Sequence, residues 1–348
     1  MKILHIDTGL EWRGGQRQAL ILHNGLINKG FVSNFIVNKH GALFEYASEN
    51  GFENIHSFEF NSEFSKISKK TLWNYFQKIK PDIIHCHDSH SVALARIFKG
   101  MSVIFHTRRV SYPINILSRF LKYRYIDYHV CVSRDIESYM RKYFKNVSTI
   151  ASCVDTNKFK NTGKLNLVLD KKCSSFLYVG AFSKQKGVEI LLKSFAVISK
   201  EFNSAKLTLI GSGELELDLK KLCKKLEIEN SVIFLGEKKN IEKFYNLSQI
   251  LIVPSIDGEG SSGVIKEGLA SGNIVIASDL DANKEIINHK HNGFLFTNKN
   301  IDSLVYLMRN ILLGIYSINV LHITESIKEL SCDNQLAKYI KLYKTSLK

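Results

Sequence analysis

The sequence predicts an α/β protein of two doubly wound domains in tandem, facing a central cleft. Three observations predict it. The 348 residues suit two domains of ordinary size. Short apolar runs alternate with helix-length amphipathic segments along nearly the whole chain, the rhythm of parallel sheets covered by helices on both faces. A stretch at 156–174, with Asn, Lys, Thr and Gly, breaks that rhythm once, and the rhythm restarts after it. Residues 1–160 are therefore expected to form a first domain and 170–329 a second. A helix at about 330–348 is expected to pack back on the first.

In the first half, apolar runs predict strands at 3–7, 31–37, 82–87, 103–107 and 129–133. Segments with apolar residues three to four apart predict helices at 16–28, 69–79, 91–98 and 135–144. The second half repeats the scheme, with strands at 176–179, 207–210, 232–235, 250–253 and 274–277. Its helices fall at 188–200, 215–226, 241–245 and 263–270, and from 301 onward, with a last one at 334–344. Ligands of such sheets sit beyond the carboxyl ends of the strands, so binding residues are sought in the loops there.

Composition narrows the class. Apolar residues make up 45% and charged residues 23%, which excludes disordered and fibrous chains. Lys and Arg number 48 against 33 acids, a net charge of +15 that favours anionic partners. The six cysteines (Cys86, Cys131, Cys153, Cys173, Cys223, Cys332) form no C-x-x-C pair and read as buried thiols of a reducing compartment. The start, MKILHIDTG, is too short and mixed for a signal peptide, and the longest apolar stretch, 304–321, carries Arg309, Asn310 and Asn319. A cytoplasmic protein is expected, at most peripheral on the cytoplasmic face of the inner membrane. A nicotinamide dehydrogenase would need G-x-G-x-x-G after a strand, which neither half has. No nucleic acid is expected as partner.

Over half of the charge excess lies in residues 96–145, with eleven Lys/Arg against three acids. Within it, residues 114–125 mix Leu117, Phe120, Leu121 and Tyr125 with Arg119, Lys122 and Arg124. Two outcomes follow. Either these apolar residues fill the domain's own core, or they face an anionic membrane surface.

Three loops carry chemistry. Gly14-Gly15 follows the first strand and opens a helix, so backbone N–H groups can approach an anionic ligand. YVGAFSKQKG at 178–187 puts Lys184 and Lys186 at a helix start, where a diphosphate would find donors. PSIDGEGSSGVIKEGLASG at 254–272 follows a buried strand. There Glu259 lies on the loop, Gly260, Ser261, Ser262 and Gly263 present backbone donors at the helix start, and Glu267 falls about one turn inside. One carboxylate can meet sugar hydroxyls and the other the two hydroxyls of a ribose, with phosphate at the helix end between them. The run His85-Cys86-His87-Asp88-Ser89-His90 lacks a second ligand group, so no metal is expected. It reads instead as a strand end, with His87 or Asp88 near an acceptor.

These elements, with LTLIGSGEL at 207–215, occur in an order that resembles the family-4 retaining glycosyltransferases of the GT-B fold, such as those of lipopolysaccharide and cell-surface glycan assembly. The resemblance covers essentially the whole chain. It implies two Rossmann-like domains, the first for the acceptor and the second for a UDP-, GDP- or ADP-linked sugar. It also implies transfer with retention of configuration, no required metal and no cofactor. Carried over, Glu267 binds ribose, Glu259 the donor sugar, Lys186 with Lys184 the diphosphate, and Gly14 and Gly15 the donor. VIFHTRR at 103–109 resembles the segment with a histidine near the reacting sugar, which nominates His106 as catalytic beside Glu259 and Lys186. Arg108 and Arg109 join the acceptor side. The expected acceptor is a lipopolysaccharide-core, lipid-linked or other cell-surface glycan. Three positions depart from the family pattern: Ala181 stands where Arg is frequent, 151–155 reads Ala-Ser-Cys-Val-Asp, and Asp281-Ala282 precedes Glu285.

Overall fold

The computed structural model describes residues 1–60, 65–162, 175–257 and 260–348. Two compact units emerge, Met1–Cys153 with Cys332–Lys348, and Val154–Ser331. Among the described residues no helix is long and apolar enough to cross a membrane.

The first unit runs β1 (Lys2–Asp7), α1 (Gly14–Asn28), β2 (Val32–Asn38), α2 (Ala42–Glu49), β3 (Ile55–Phe58), α3 (Lys66–Ile79), β4 (Ile83–Cys86), α4 (Ser89–Ala95), β5 (Val103–Arg108), α5 (Ile116–Leu121), β6 (Tyr128–Cys131), α6 (Arg134–Arg141) and β7 (Val147–Thr149). Its strands form one sheet in the order β3-β2-β1-β4-β5-β6-β7, parallel throughout.

The second runs β8 (Ser175–Val179), α7 (Val188–Glu201), β9 (Lys206–Ile210), α8 (Glu216–Lys225), β10 (Val232–Phe234), α9 (Glu242–Leu247), β11 (Ile250–Val253), α10 (Gly263–Ala270), β12 (Ile274–Ser278), α11 (Asp281–Lys284), β13 (Phe294–Phe296), α12 (Ile301–Leu312) and α13 (Val320–Ser326). The order is β10-β9-β8-β11-β12-β13, again parallel. Both orders reverse direction once, between β1 and β4 and between β8 and β11. A ligand crevice of a doubly wound sheet opens at that reversal.

The last helix, α14 (Cys332–Ser346), returns to the first unit. Leu336, Tyr339 and Tyr343 repeat at helical spacing and pack with Ile3, Leu22, Leu26, Phe105 and Val130. Tyr343 is wholly buried, and its hydroxyl meets His85 Nδ1 at 2.5 Å. Truncating a buried aromatic of this size costs about 3–5 kcal/mol, so α14 is part of the first unit's core.

Differences from the sequence reading have physical causes. Residues 154–162 pack with the second unit: Phe159 is buried edge-on to Tyr245 at 5.5 Å, and Val154 N donates to Leu330 O at 2.9 Å. Strands β3, β7 and β13, three- or four-residue outer strands, went unread; in β3 (IHSF) and β7 (VST) polar residues interrupt the apolar run. Helix 91–98 closes early, as α4 gives way to a 3-10 turn at Arg96–Phe98. Cys86, Cys131 and Cys223 are buried as expected; Cys332, at the start of α14, is only partly so, with its Sγ 2.9 Å from that of Cys153. Cys173 lies outside the described residues.

The two outcomes for 114–125 are separated. Ile114 and Tyr123 are buried, but α5 has no buried residue, and Ile116, Leu117 and Phe120 are 64%, 65% and 62% exposed. The apolar side of α5 does not fill the core.

Candidate functional site

In the second unit, the loops after β8, β9 and β11 are fastened together by glycines. A Cβ on Gly211 would lie 1.9 Å from Gly180 O, so the loops after β8 and β9 touch backbone to backbone. Phe182, buried, anchors the first of them: its N–H donates to Ser212 O at 2.8 Å and its carbonyl accepts from Leu215 N at 3.0 Å. One 3-10 turn, Lys184–Lys186, follows and ends at Gly187 with φ +64°. A Cβ there would sit 2.1 Å from Pro254 O, and Ile256 N donates to Gln185 O at 2.8 Å. The lysine turn is thus tied to the loop leaving β11, across the reversal point. Lys184 is exposed and Lys186 half-buried.

That loop leads into α10. Ser262 caps the helix, its Oγ accepting from Ile265 N at 3.4 Å, and the space beside Gly263 is open. Glu267 lies one turn inside, 6% exposed, and its Oε2 accepts from Tyr245 OH at 2.8 Å. Glu259 lies outside the described residues; Gly260 and Ser261 lie inside them. Sequence reasoning missed Lys266. It is wholly buried, and its Nζ donates to Ser261 Oγ at 2.5 Å. A buried ammonium needs such partners. The available signal was a lysine on the apolar side of a helix otherwise made of Val264, Ile265 and Leu269. Its effect is to hold Ser261, and with it the start of α10, by a positive charge.

In the first unit the ligand end of the sheet gathers Asp7, His87, Arg109 and the start of α1. Asp88 caps α4, accepting from His90 N at 2.7 Å and Ser91 N at 2.8 Å, and from Thr8 N at 2.7 Å and Thr8 Oγ1 at 3.0 Å. Its carboxylate is a strap between the β1 and β4 loops. Arg109 donates to His87 Nδ1 at 3.3 Å, which leaves His87 Nε2–H to donate to His5 Nδ1 at 2.9 Å. His85 bonds Tyr343 OH and, at 2.7 Å, Thr107 Oγ1. Burial pushes all three histidines well below their ordinary pKa, so they are neutral. Ligand atoms of His5, His85 and His87 lie within 4.8 Å of one another. Both nitrogens of His85 and His87 are engaged and a guanidinium adjoins them, so the trio works as a hydrogen-bonded support for Arg109.

The first turn of α1 has no acidic residue; Gly14 faces open space, and a Cβ on Gly15 would lie 3.2 Å from Arg109 Cδ. A helix N-terminus and a cation stand side by side, the arrangement that favours an anion. Asp7, at the end of β1, is pushed up to about 6 by burial and then by Asp88. Arg108 is 6% exposed and donates to Tyr112 O. His106 sits two residues inside β5, 3% exposed, with its ring edge-on to Tyr123 at 5.1 Å and Nδ1 3.4 Å from His129 Nδ1. It is a core side chain of the sheet; Arg109, three residues on, reaches the loops.

With this geometry stand the likenesses to known proteins. Residues 161–314 match the family model "Glycosyl transferases group 1", and residues 12–158 match "Glycosyltransferase Family 4". An uncharacterized glycosyltransferase of Haemophilus influenzae is 31% identical over 193 residues, 55% of this chain and 53% of that protein. The chain spans 53%, 33% and 60% of the first three curated relatives it matches. The Escherichia coli UDP-Gal:alpha-D-GlcNAc-diphosphoundecaprenol alpha-1,3-galactosyltransferase is 24% identical over 99% of this chain and 94% of its own. Among solved structures, Anabaena HepE in complex with UDP superposes with a TM-score of 0.85 at 14% identity, covering 99% of this chain and 100% of that one. The two family models between them take in most of the sequence, each unit has the Rossmann strand order, and the chain belongs to the family-4 glycosyltransferases of the GT-B fold class.

Proposed function

We propose that the protein transfers a sugar from a nucleotide-sugar, with retention of configuration, to a lipid-linked or other cell-surface glycan such as a lipopolysaccharide core. The observation that carries this reading is the join between the lysine turn and the loop that leaves β11 towards α10, at the reversal point of the second sheet. Lys184, Lys186 and the N–H groups of Ser261–Gly263 supply donors where a leaving diphosphate gathers charge. Glu267, positioned by Tyr245, takes the ribose hydroxyls, and Glu259 the sugar hydroxyls. With these donors in place the reaction needs no metal. The acceptor hydroxyl attacks from the face of the departing diphosphate, whose oxygen takes the proton. Gly14, Gly15, His87, Arg108 and Arg109 bind the reacting groups from the first unit, with His106 and Asp88 behind them as support.

A UDP-linked donor is favoured, because the Escherichia coli relative is named for UDP-Gal and the Anabaena structure holds UDP. That relative's acceptor is named as a diphosphoundecaprenol-linked sugar, which favours a lipid-linked acceptor here. The exposed apolar side of α5, beside Arg119, Lys122 and Arg124, supports attachment to an anionic membrane surface at the cytoplasmic face. The test is incubation with UDP-, GDP- and ADP-sugars, with and without lipid-linked glycan. Product should form only with acceptor present, keep the donor's anomeric configuration, and fall about 100-fold with Lys186→Ala. Donor consumed equally without acceptor would mean an epimerase or hydrolase instead.

A further inference from the structure

We infer that a pocket at the amino ends of β6 and β7 binds the phosphate of an anionic phospholipid whose acyl part lies along α5. The inference deepens the membrane-surface reading and rests on it. The pocket measures about 350 Å³ and is lined by Arg119, Phe120, Arg124, His129, Tyr143 and Lys145 among others. His129 is the second residue of β6, and Lys145 precedes β7, so the pocket opens at the opposite end of the sheet from Asp7, His87 and Arg109.

Its polar half is built and unsatisfied. The Arg119 guanidinium stacks 3.9 Å from the Tyr143 ring centre, and its Nε is buried with no hydrogen-bond partner. His129, 2% exposed and hydrogen-bonded to the Tyr123 backbone, walls the pocket beside it. Arg124 and Lys145, both exposed, stand with them. The one acid in the lining, Asp127, is spoken for: it pairs with Lys99 and accepts from Ile104 N at 2.9 Å. Three cations, one of them with a buried N–H without a partner, and a compensated acid select an anion.

The apolar half adjoins it. Phe120 lines the pocket and also belongs to the exposed side of α5, where Ile116 and Phe120, and Leu117 and Leu121, are four residues apart. One side chain is shared by an anion pocket and an apolar surface. An amphiphile with a phosphate head engages both, and inorganic phosphate engages one.

The test uses the full chain. Calorimetry compares dihexanoyl phosphatidylglycerol below its micelle concentration with dihexanoyl phosphatidylcholine and inorganic phosphate. Flotation compares phosphatidylcholine vesicles with and without phosphatidylglycerol. The wild type should bind the short-chain anionic lipid, and Arg119→Gln should weaken it about tenfold, while Lys142→Gln, exposed and outside the pocket, should not. UDP affinity unchanged in both variants would report an intact fold. Equal losses in Arg119→Gln and Lys142→Gln would overturn the pocket in favour of diffuse charge. Phosphate binding as tightly as the lipid would overturn the lipid assignment. Vesicle binding without short-chain lipid binding overturns the pocket and leaves the surface reading standing; the reverse supports the pocket and refutes the surface reading.

Discussion

The two units share a strand order and differ in what they bury. The first carries six buried histidines, His5, His23, His85, His87, His106 and His129. The second has no buried histidine among its described residues; its central strands β11 and β12 read ILIV and IVIAS, and its buried charges are Lys266 and Glu267. One topology therefore tolerates two core chemistries. The first unit is held in part by neutral imidazoles bonded to Tyr343, Thr107, Ser33 and one another, and the second by aliphatic and Phe/Tyr packing and close-fitting glycines.

Acid should separate them most. Burial lowers His23 to about 4 and His129 to about 3, and pushes His5, His85, His87 and His106 well down. A histidine with a lowered folded pKa contributes stability that is present above its unfolded value near 6.5 and lost as pH falls towards the folded one. The loss is about 1.4 kcal/mol per histidine per pH unit. Both tryptophans, Trp12 and Trp73, lie in the first unit, so their fluorescence reports on it alone. Between pH 6.5 and 4 it should record unfolding while a helical circular-dichroism signal from the second unit persists. A single coincident transition would break the comparison.

Glycine substitutions sharpen it from the other side. Gly187→Ala meets the Pro254 carbonyl and a left-handed backbone, and should cost about 2–4 kcal/mol in denaturant titration. Gly14→Ala, with nothing within 4 Å, should shift stability by about 0.5 kcal/mol or less. Asp7→Asn acts on the first unit through pH instead. A carboxyl raised to about 6 contributes stability below its unfolded value near 3.8 and loses it as pH rises through 6. The asparagine variant should be more stable than wild type by about 1–3 kcal/mol at pH 8, and that gain should vanish at pH 4.

Both sheets were legible because β1, β4, β5, β8, β9, β11 and β12 are apolar runs long enough to register, and helix α10 was legible where the glycine- and serine-rich loop ends. Lys266 was not, since a lysine in a helix is ordinarily solvated and only the fold reveals that this one faces inward. For His106 the segment was legible but not the burial: its ring lies inside β5, 3% exposed, while Arg109 follows the end of the strand. The support of Arg109 by His5, His85 and α14 joins residues up to 258 positions apart, which no local pattern encodes.

The central claim is that the start of α10 is a nucleotide site whose ribose partner is Glu267. Calorimetric titration of the wild type and Glu267→Gln with UDP tests it most directly. The account predicts that the wild type binds and that the variant loses about tenfold or more, one to two hydrogen bonds' worth, with its melting temperature without ligand little changed. Equal affinity in the two proteins would contradict it.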